Sequence, residues 1–286
     1  MAVLLAAGAA MLFGALAVAI RIAFRSNVDA DAGALTTTAV ACVVCVAAAA
    51  IFGQWSHVPW ADTWPFVTAG TVAPGVSQLL FTRAVELIGA SRTAILVGIS
   101  PVLSAVIAIA LLGEPLRVSL AIGTVLVVGG TTMLAWERGG WRGLFTVGTA
   151  SGAIAAALFS FRDNFVRWAE RGSSVPGVVA AACSLAAATV VIGAFVGATG
   201  DGVRRARAAA PRFVVSGAIF GLGYAFLLSA FDHGRVTVVA PLYATESLWA
   251  VLFAAVVLRQ AERIGLRVLA AAVLVVAGGA LIGGFR

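Results

Sequence analysis

The sequence predicts an all-α polytopic membrane protein, with ten transmembrane helices arranged as two inverted five-helix repeats. Three observations carry this reading. The 286-residue chain is 62% hydrophobic and 11% charged, with a mean hydropathy of +1.06, which leaves too little polar surface to enclose a soluble core of that size. Its apolar runs have the length of about 20 residues that crosses the hydrocarbon of a bilayer. Finally, Val125-Leu126-Val127-Val128-Gly129-Gly130 returns 148 residues later as Val273-Leu274-Val275-Val276-Ala277-Gly278.

The runs fall at 2–24, 33–53, 64–88, 91–112, 118–136, 146–168, 175–199, 212–233, 235–258 and 266–284. Those at 33–53, 118–136 and 175–199 contain no charged residue, so each reads as a span without help from its neighbours. The breaks between runs are too short to hold an extramembrane domain. The first run is expected to stay in the protein as a helix, because it lacks a positive leading segment and Arg21 and Arg25 follow it, the reverse of a secretory signal. All 19 basic residues are Arg, which beside so much Ala, Gly and Val reads as codon usage in a GC-rich prokaryote. The expected location is therefore a prokaryotic inner or plasma membrane, crossed many times. A net charge of +7 on such a chain reports orientation in the membrane rather than nucleic-acid binding.

The duplication extends beyond the glycine motif. Gly113-Glu114-Pro115 and Ala261-Glu262-Arg263 place a Glu before the last span of each half, again 148 residues apart, where a helix N-terminus favours negative charge. Ala10-Met11-Leu12-Phe13 pairs with Ala156-Ala157-Leu158-Phe159 at a spacing of 146, and Arg21, Ala23 and Arg25 then pair with Arg167, Ala169 and Arg171. The repeats are read as residues 1–143 and 144–286. Five crossings per copy is an odd number, so the second copy enters the bilayer upside down, the architecture of alternating-access transporters.

Further pieces are Phe13-Gly14 in the first span, Phe81-Thr82-Arg83-Ala84 at the end of the third, Ser100-Pro101-Val102 in the fourth, and Gly123 with Gly129-Gly130 in the fifth. In order, and with the duplication, they make the chain resemble the drug/metabolite transporter superfamily, EamA type, over essentially its whole length. The resemblance implies two five-helix halves and transport of a small metabolite, and it implies both termini inside the cell. The second half departs from the family pattern where a Glu-Pro pair is common: here Glu246-Ser247-Leu248-Trp249 stands, with the proline earlier at Pro241.

Lipid tails are as apolar as Leu, so helices associate through close backbone contact at small residues. Gly148/Gly152, Gly193/Gly197, Gly217/Gly221 and Gly279/Gly283 are spaced for this. They fit packing within a monomer, or a homodimer joined through the fifth and tenth spans. Pro74, Pro101 and Pro241 fall inside spans, where each frees a carbonyl that only protein or cavity water can satisfy; those spans are expected to line the cavity. Cys42, Cys45 and Cys183 are read as small packing residues, since a metal or redox site needs more ligands or solvent access. Loops after the odd-numbered spans carry eleven Arg against five on the other side. The positive-inside rule then puts both termini outside the cytoplasm, opposite to what the resemblance implies.

Polar residues inside spans mark the site. Glu246 sits at the middle of 235–258, and a carboxylate there is protonated, paired or facing a watery cavity, so it is the candidate for proton coupling. Tyr243 and Trp249 lie one helical turn to either side of it. Gln78 and Tyr224 are repeat counterparts 146 residues apart, placed where a central site would find hydrogen-bonding groups. Ser100 precedes Pro101 in the middle of the fourth span. Arg162, beside Asp163, either neutralises itself locally or serves as counter-charge to Glu246 or to a substrate. Arg83 with Glu86, and Asp232 with His233, approach the ends of their spans and are expected at a gate or rim.

The expected function is a secondary active transporter exporting a small organic metabolite such as an amino acid by alternating access; the alternatives are an uncoupled facilitator of a metabolite, or a non-transporting membrane sensor or assembly protein. No phosphate-binding G-x-x-x-x-G-K-[ST] motif is present, so the energy source is expected to be an ion gradient, with protons the natural choice. No enzyme activity, metal or cofactor is expected, since the two histidines, His57 and His233, lie on loops or helix ends. The partners expected are the substrate and the lipid bilayer, and no nucleic acid.

Overall fold

Hydrocarbon offers backbone groups no partner, so a spanning segment must close its hydrogen bonds within itself. The computed structural model describes residues 1–286 apart from 27, 57, 101, 102, 104–106, 108–117, 137–145, 171, 234–238, 240, 241, 244, 259–264, 285 and 286. Among the described residues there is helix and no strand. The α-helices are α1 (Ala2–Ala23), α2 (Ala30–Ile51), α3 (Trp64–Gly70), α4 (Ser77–Ile88), α5 (Ala90–Val97), α6 (Val118–Trp136), α7 (Val147–Glu170), α8 (Gly177–Gly197), α9 (Gly202–His233), α10 (Glu246–Val257) and α11 (Leu266–Gly284). Each of the ten expected spans contains helix among its described residues, and the protein is a polytopic all-α membrane protein. Ala2–Ser26, Ala30–Ile51, Gly177–Gly197 and Gly202–His233 are long and apolar enough to cross a bilayer unaided.

Local chemistry sets several helix ends. The Asp29 carboxylate accepts from the Ala32 N–H at 2.9 Å and caps α2. Thr146 and Thr149 cap α7 reciprocally, each hydroxyl accepting from the other's backbone N–H at 3.2 and 3.0 Å. Between α4 and α5 the chain turns at Gly89 with φ +90°, a conformation that a Cβ disfavours.

Three spans differ from the expectation. The third is broken: α3 passes through a π turn, Thr71–Val76, into α4. Pro74 lies inside that turn and Ala73 leaves helical geometry, with φ −143° and ψ 115°, as a missing donor in mid-helix requires. The eighth span begins ten residues early, so Arg204, Arg205, Arg207 and Arg212 lie on α9 and not in a loop. At 32 residues, α9 is about 48 Å long and exceeds the hydrocarbon, so its arginine-bearing turns fall in the headgroup layer. In the ninth, Glu246 stands in the first turn of α10 rather than amid a continuous helix. Pro101, Pro241, Glu114 and Glu262 lie outside the described residues.

Packing follows the small residues. Gly217 and Gly221 of α9 seat on α2: a Cβ on Gly221 would stand 2.8 Å from the Ala41 carbonyl oxygen and 2.9 Å from its Cα. Gly14 of α1 meets Trp249 and Ala250 of α10. Gly130 of α6 contacts Ala271, Leu274 and Val275, whereas Gly278 of α11 contacts Gly123 and Val127. Later positions of α11 thus meet earlier positions of α6, so these two helices run antiparallel. Cys45 donates to the Gly221 carbonyl at 3.2 Å; it and Cys42 are packing residues between helices. A central core joins α1, α2, α4, α7, α8 and α9, and a smaller one, with Ile95, Val127, Val251 and Val275, joins α5, α6, α10 and α11.

Gly221→Leu is expected to force α2 and α9 apart at about 1–3 kcal/mol and lower the melting temperature in detergent. Gly129→Leu, whose Cβ would meet nothing within 4 Å, should leave it unchanged. Equal melting of the two variants would contradict this packing.

Candidate functional site

The largest concentration of polar chemistry inside the bundle surrounds one small cavity. Phe13, Leu16 and Ala17 of α1, Gln78 and Phe81 of α4, Ala94 and Val97 of α5, Phe159 and Arg162 of α7, Phe220 of α9, Tyr243, and Glu246 of α10 form its wall. Its volume is about 30 Å³, room for a water or two and for no organic metabolite. The described helices thus leave no room for a metabolite at the site in this arrangement.

Arg162 is 3% exposed, and three features make that tolerable. Its Nε and one terminal nitrogen both donate to Oδ1 of Asp163, at 2.9 and 2.7 Å. Its guanidinium also lies over the ring of Phe159 at 5.1 Å and of Tyr224 at 5.4 Å. Cation–π contact and a charge-assisted pair together offset the desolvation of a buried cation. Glu246 is 8% exposed; Tyr243 sits against it, and Arg162 and Asp163 are both near enough to act on it with opposite sign. Gln78, also buried, donates to the Thr82 hydroxyl at 3.4 Å along its own helix. Phe13 closes the aromatic wall edge-on to Phe220 and to Tyr243, with centroids at 6.1 and 5.5 Å.

Of the residues expected to bind substrate, Gln78, Arg162, Tyr243 and Glu246 meet at this cavity. Tyr224 stands behind it, under the Arg162 guanidinium. Ser100 does not line it: its hydroxyl donates to the Val97 and Ala156 carbonyls at 2.7 and 3.2 Å, and Ser160 donates to the Ser100 carbonyl at 2.8 Å. A hydroxyl at a broken helix finds freed carbonyls before it finds solvent, so Ser100 ties α5 to α7. Trp249 is likewise outside the wall, stacked on Phe253 at 5.7 Å and packed against Gly14. The phenylalanines of the wall carry no polar signal in the sequence; the mark that points to Phe13 and Phe159 is their 146-residue spacing as repeat counterparts.

At one end of the bundle Arg83 pairs with Asp31 and not with Glu86. Two bonds of 2.7 Å join the guanidinium fork to both carboxylate oxygens, a geometry that a neighbour three residues along the same helix does not supply as well. Glu86 takes part through its carbonyl, which accepts from Arg21 at 2.8 Å. Arg205 adds a second pair with Asp29 at 3.0 Å. Asp232 and His233 lie 3.6 Å apart at the opposite end of α9, both exposed, with His233 Nδ1 also 2.9 Å from the Ser229 carbonyl.

Arg162→Gln is expected to destabilise the protein by about 3 kcal/mol, because it strands Asp163. The double change Arg162→Gln with Asp163→Asn should recover most of the lost melting temperature. A double variant no more stable than the single one would show that the two side chains do not act as a pair.

Residues 1–136 match the EamA-like transporter family. An uncharacterized transporter in the cobO 3' region of Sinorhizobium sp is 33% identical over 113 residues, covering 38% of this chain and 79% of that protein. A solved crystal structure aligns at a TM-score of 0.66 and 21% identity over 98% of this chain and 94% of the other, a likeness of fold alone. With its polytopic helical bundle and its enclosed polar cavity, the chain belongs to the EamA-like transporter family.

Proposed function

We propose that this multi-pass membrane transporter moves a small organic metabolite, such as an amino acid, outward by alternating access, with Glu246 coupling the movement to protons. One convergence carries the reading: Gln78, Arg162, Tyr243 and Glu246 reach a single cavity from different parts of the chain, and phenylalanines form much of the remaining wall. A guanidinium and a carboxylic acid in an aromatic pocket suit a ligand with separated charges on an apolar body. The halves 1–143 and 144–286 build the pocket jointly, since Phe13 and Phe159, and Leu16 and Arg162, are counterparts 146 residues apart that line it from each side. The antiparallel contact of α6 with α11 supports the inversion of one half relative to the other.

In this mechanism the cavity opens to one face at a time. The Arg83–Asp31 and Arg205–Asp29 pairs hold one end, and Asp232 with His233 mark the other. Glu246 takes a proton from one side, which removes its charge from a nearly dry site. Substrate arriving from the other side brings its own charge to Arg162 and Glu246 and displaces that proton. Exchange then requires each ligand to leave before the other is held.

In proteoliposomes, counterflow of labelled amino acids identifies the transported member. Glu246→Gln is then expected to retain counterflow while losing pH-gradient-driven accumulation at least about tenfold, the scale of one interaction of about 1.4 kcal/mol. Full gradient-driven accumulation by that variant rules out the coupling role, and a wild type unable to concentrate substrate identifies an uncoupled facilitator. In a background free of Cys42, Cys45 and Cys183, single cysteines replacing Val118 and Leu266, at the starts of α6 and α11, should label from opposite faces of the membrane. Labelling from one face would refute the inverted halves.

A further inference from the structure

Away from the central cavity, the bundle carries a lateral groove of about 400 Å³ between α2, α8 and α9. Three helical stripes line it: Leu35, Thr36, Ala39 and Val40 from α2, Gly193, Val196 and Gly197 from α8, and Val203, Ala206, Arg207 and Ala210 from α9. The α8 glycines have the spacing that seats one helix on another, yet among the described residues no helix closes on them. A Cβ on Gly197 would meet nothing within 4 Å, and one on Gly193 only the Leu35 side chain, at 3.7 Å. The missing side chains make the groove, and its wall is apolar apart from the Thr36 hydroxyl, which donates to the Ala32 carbonyl at 3.0 Å, and Arg207.

The charges beside it are divided. Arg204 pairs with Asp201 at 2.8 Å and Arg205 with Asp29 at 3.0 Å. Among the described residues, Arg207 pairs with no carboxylate, and its side chain is exposed. It lies five residues into α9, about 7.5 Å from the helix start, within reach of the headgroup layer by extension of its stem. A slot for hydrocarbon with an unpaired cation near its outer end has the polarity of one phospholipid molecule: acyl chain inward, phosphate outward.

We infer that this groove is a binding site for an anionic phospholipid, whose acyl chain lies on Gly193 and Gly197 and whose phosphate pairs with Arg207. The lipid would act there as a wedge between α8 and α9. The inference stands apart from the identity of the transported substrate.

Native mass spectrometry of the purified full-length protein, titrated with phosphatidylglycerol and with phosphatidylcholine, tests it. The wild type is expected to retain one phosphatidylglycerol in preference to phosphatidylcholine. Arg207→Gln should weaken phosphatidylglycerol retention about fivefold, the effect of one basic residue at an anionic surface, and leave phosphatidylcholine unchanged. Gly197→Leu, whose Cβ meets nothing within 4 Å and whose branched end occupies the slot, should abolish retention of both, while Gly129→Leu on α6 should not. Unaltered phosphatidylglycerol retention in both groove variants overturns the site. So does a wild-type mass of two chains that Gly197→Leu reduces to one, which would make the occupant a second copy of the protein.

Discussion

A medium without hydrogen-bonding partners governs every level of this structure. It forces the backbone into helices, and because it attracts Leu as strongly as another helix does, it leaves helix association to close contact at small residues. Gly217 and Gly221 of α9 against α2, Gly14 of α1 against α10, and Gly130 of α6 with Gly278 of α11 supply that contact. The same medium penalises charge, so charged groups collect at the two ends of the bundle and around one enclosed cavity. Site and scaffold are therefore consequences of one constraint.

The interior charge shows how narrowly that constraint is met. Arg162 is compensated in three directions, by Asp163 beside it and by the faces of Phe159 and Tyr224. Both tyrosines of the chain serve this site: Tyr224 receives the guanidinium on its ring, and Tyr243 stands against Glu246. Polar groups in the neighbourhood that are not part of the cavity bind backbone, as Ser100 and Ser160 do between α5 and α7. Ser100 and Ser160 are thus committed to backbone carbonyls, whereas Gln78, Arg162 and Glu246 are held at the cavity.

The spans were legible because the hydrocarbon thickness imposes one length on every apolar run. Gln78, Arg162, Tyr243 and Glu246 were legible for a related reason, as polar residues in spans otherwise almost free of them. The sequence did not disclose their neighbours. Asp31, the partner of Arg83, lies 52 residues away, and no local spacing marks it. Ser100 and Trp249 have the composition of ligands but face α7 and α1. The start of α9 was misplaced because four arginines look like a loop, while a helix that outruns the hydrocarbon can carry them in the headgroup layer.

The cavity's small volume bears on the physiology of the membrane that holds the protein. A passage wide enough for an organic solute would, if left open, short-circuit the electrical and proton differences on which the cell runs. With phenylalanine rings around space for a water or two, this arrangement of the helices leaves an organic solute no passage through the site.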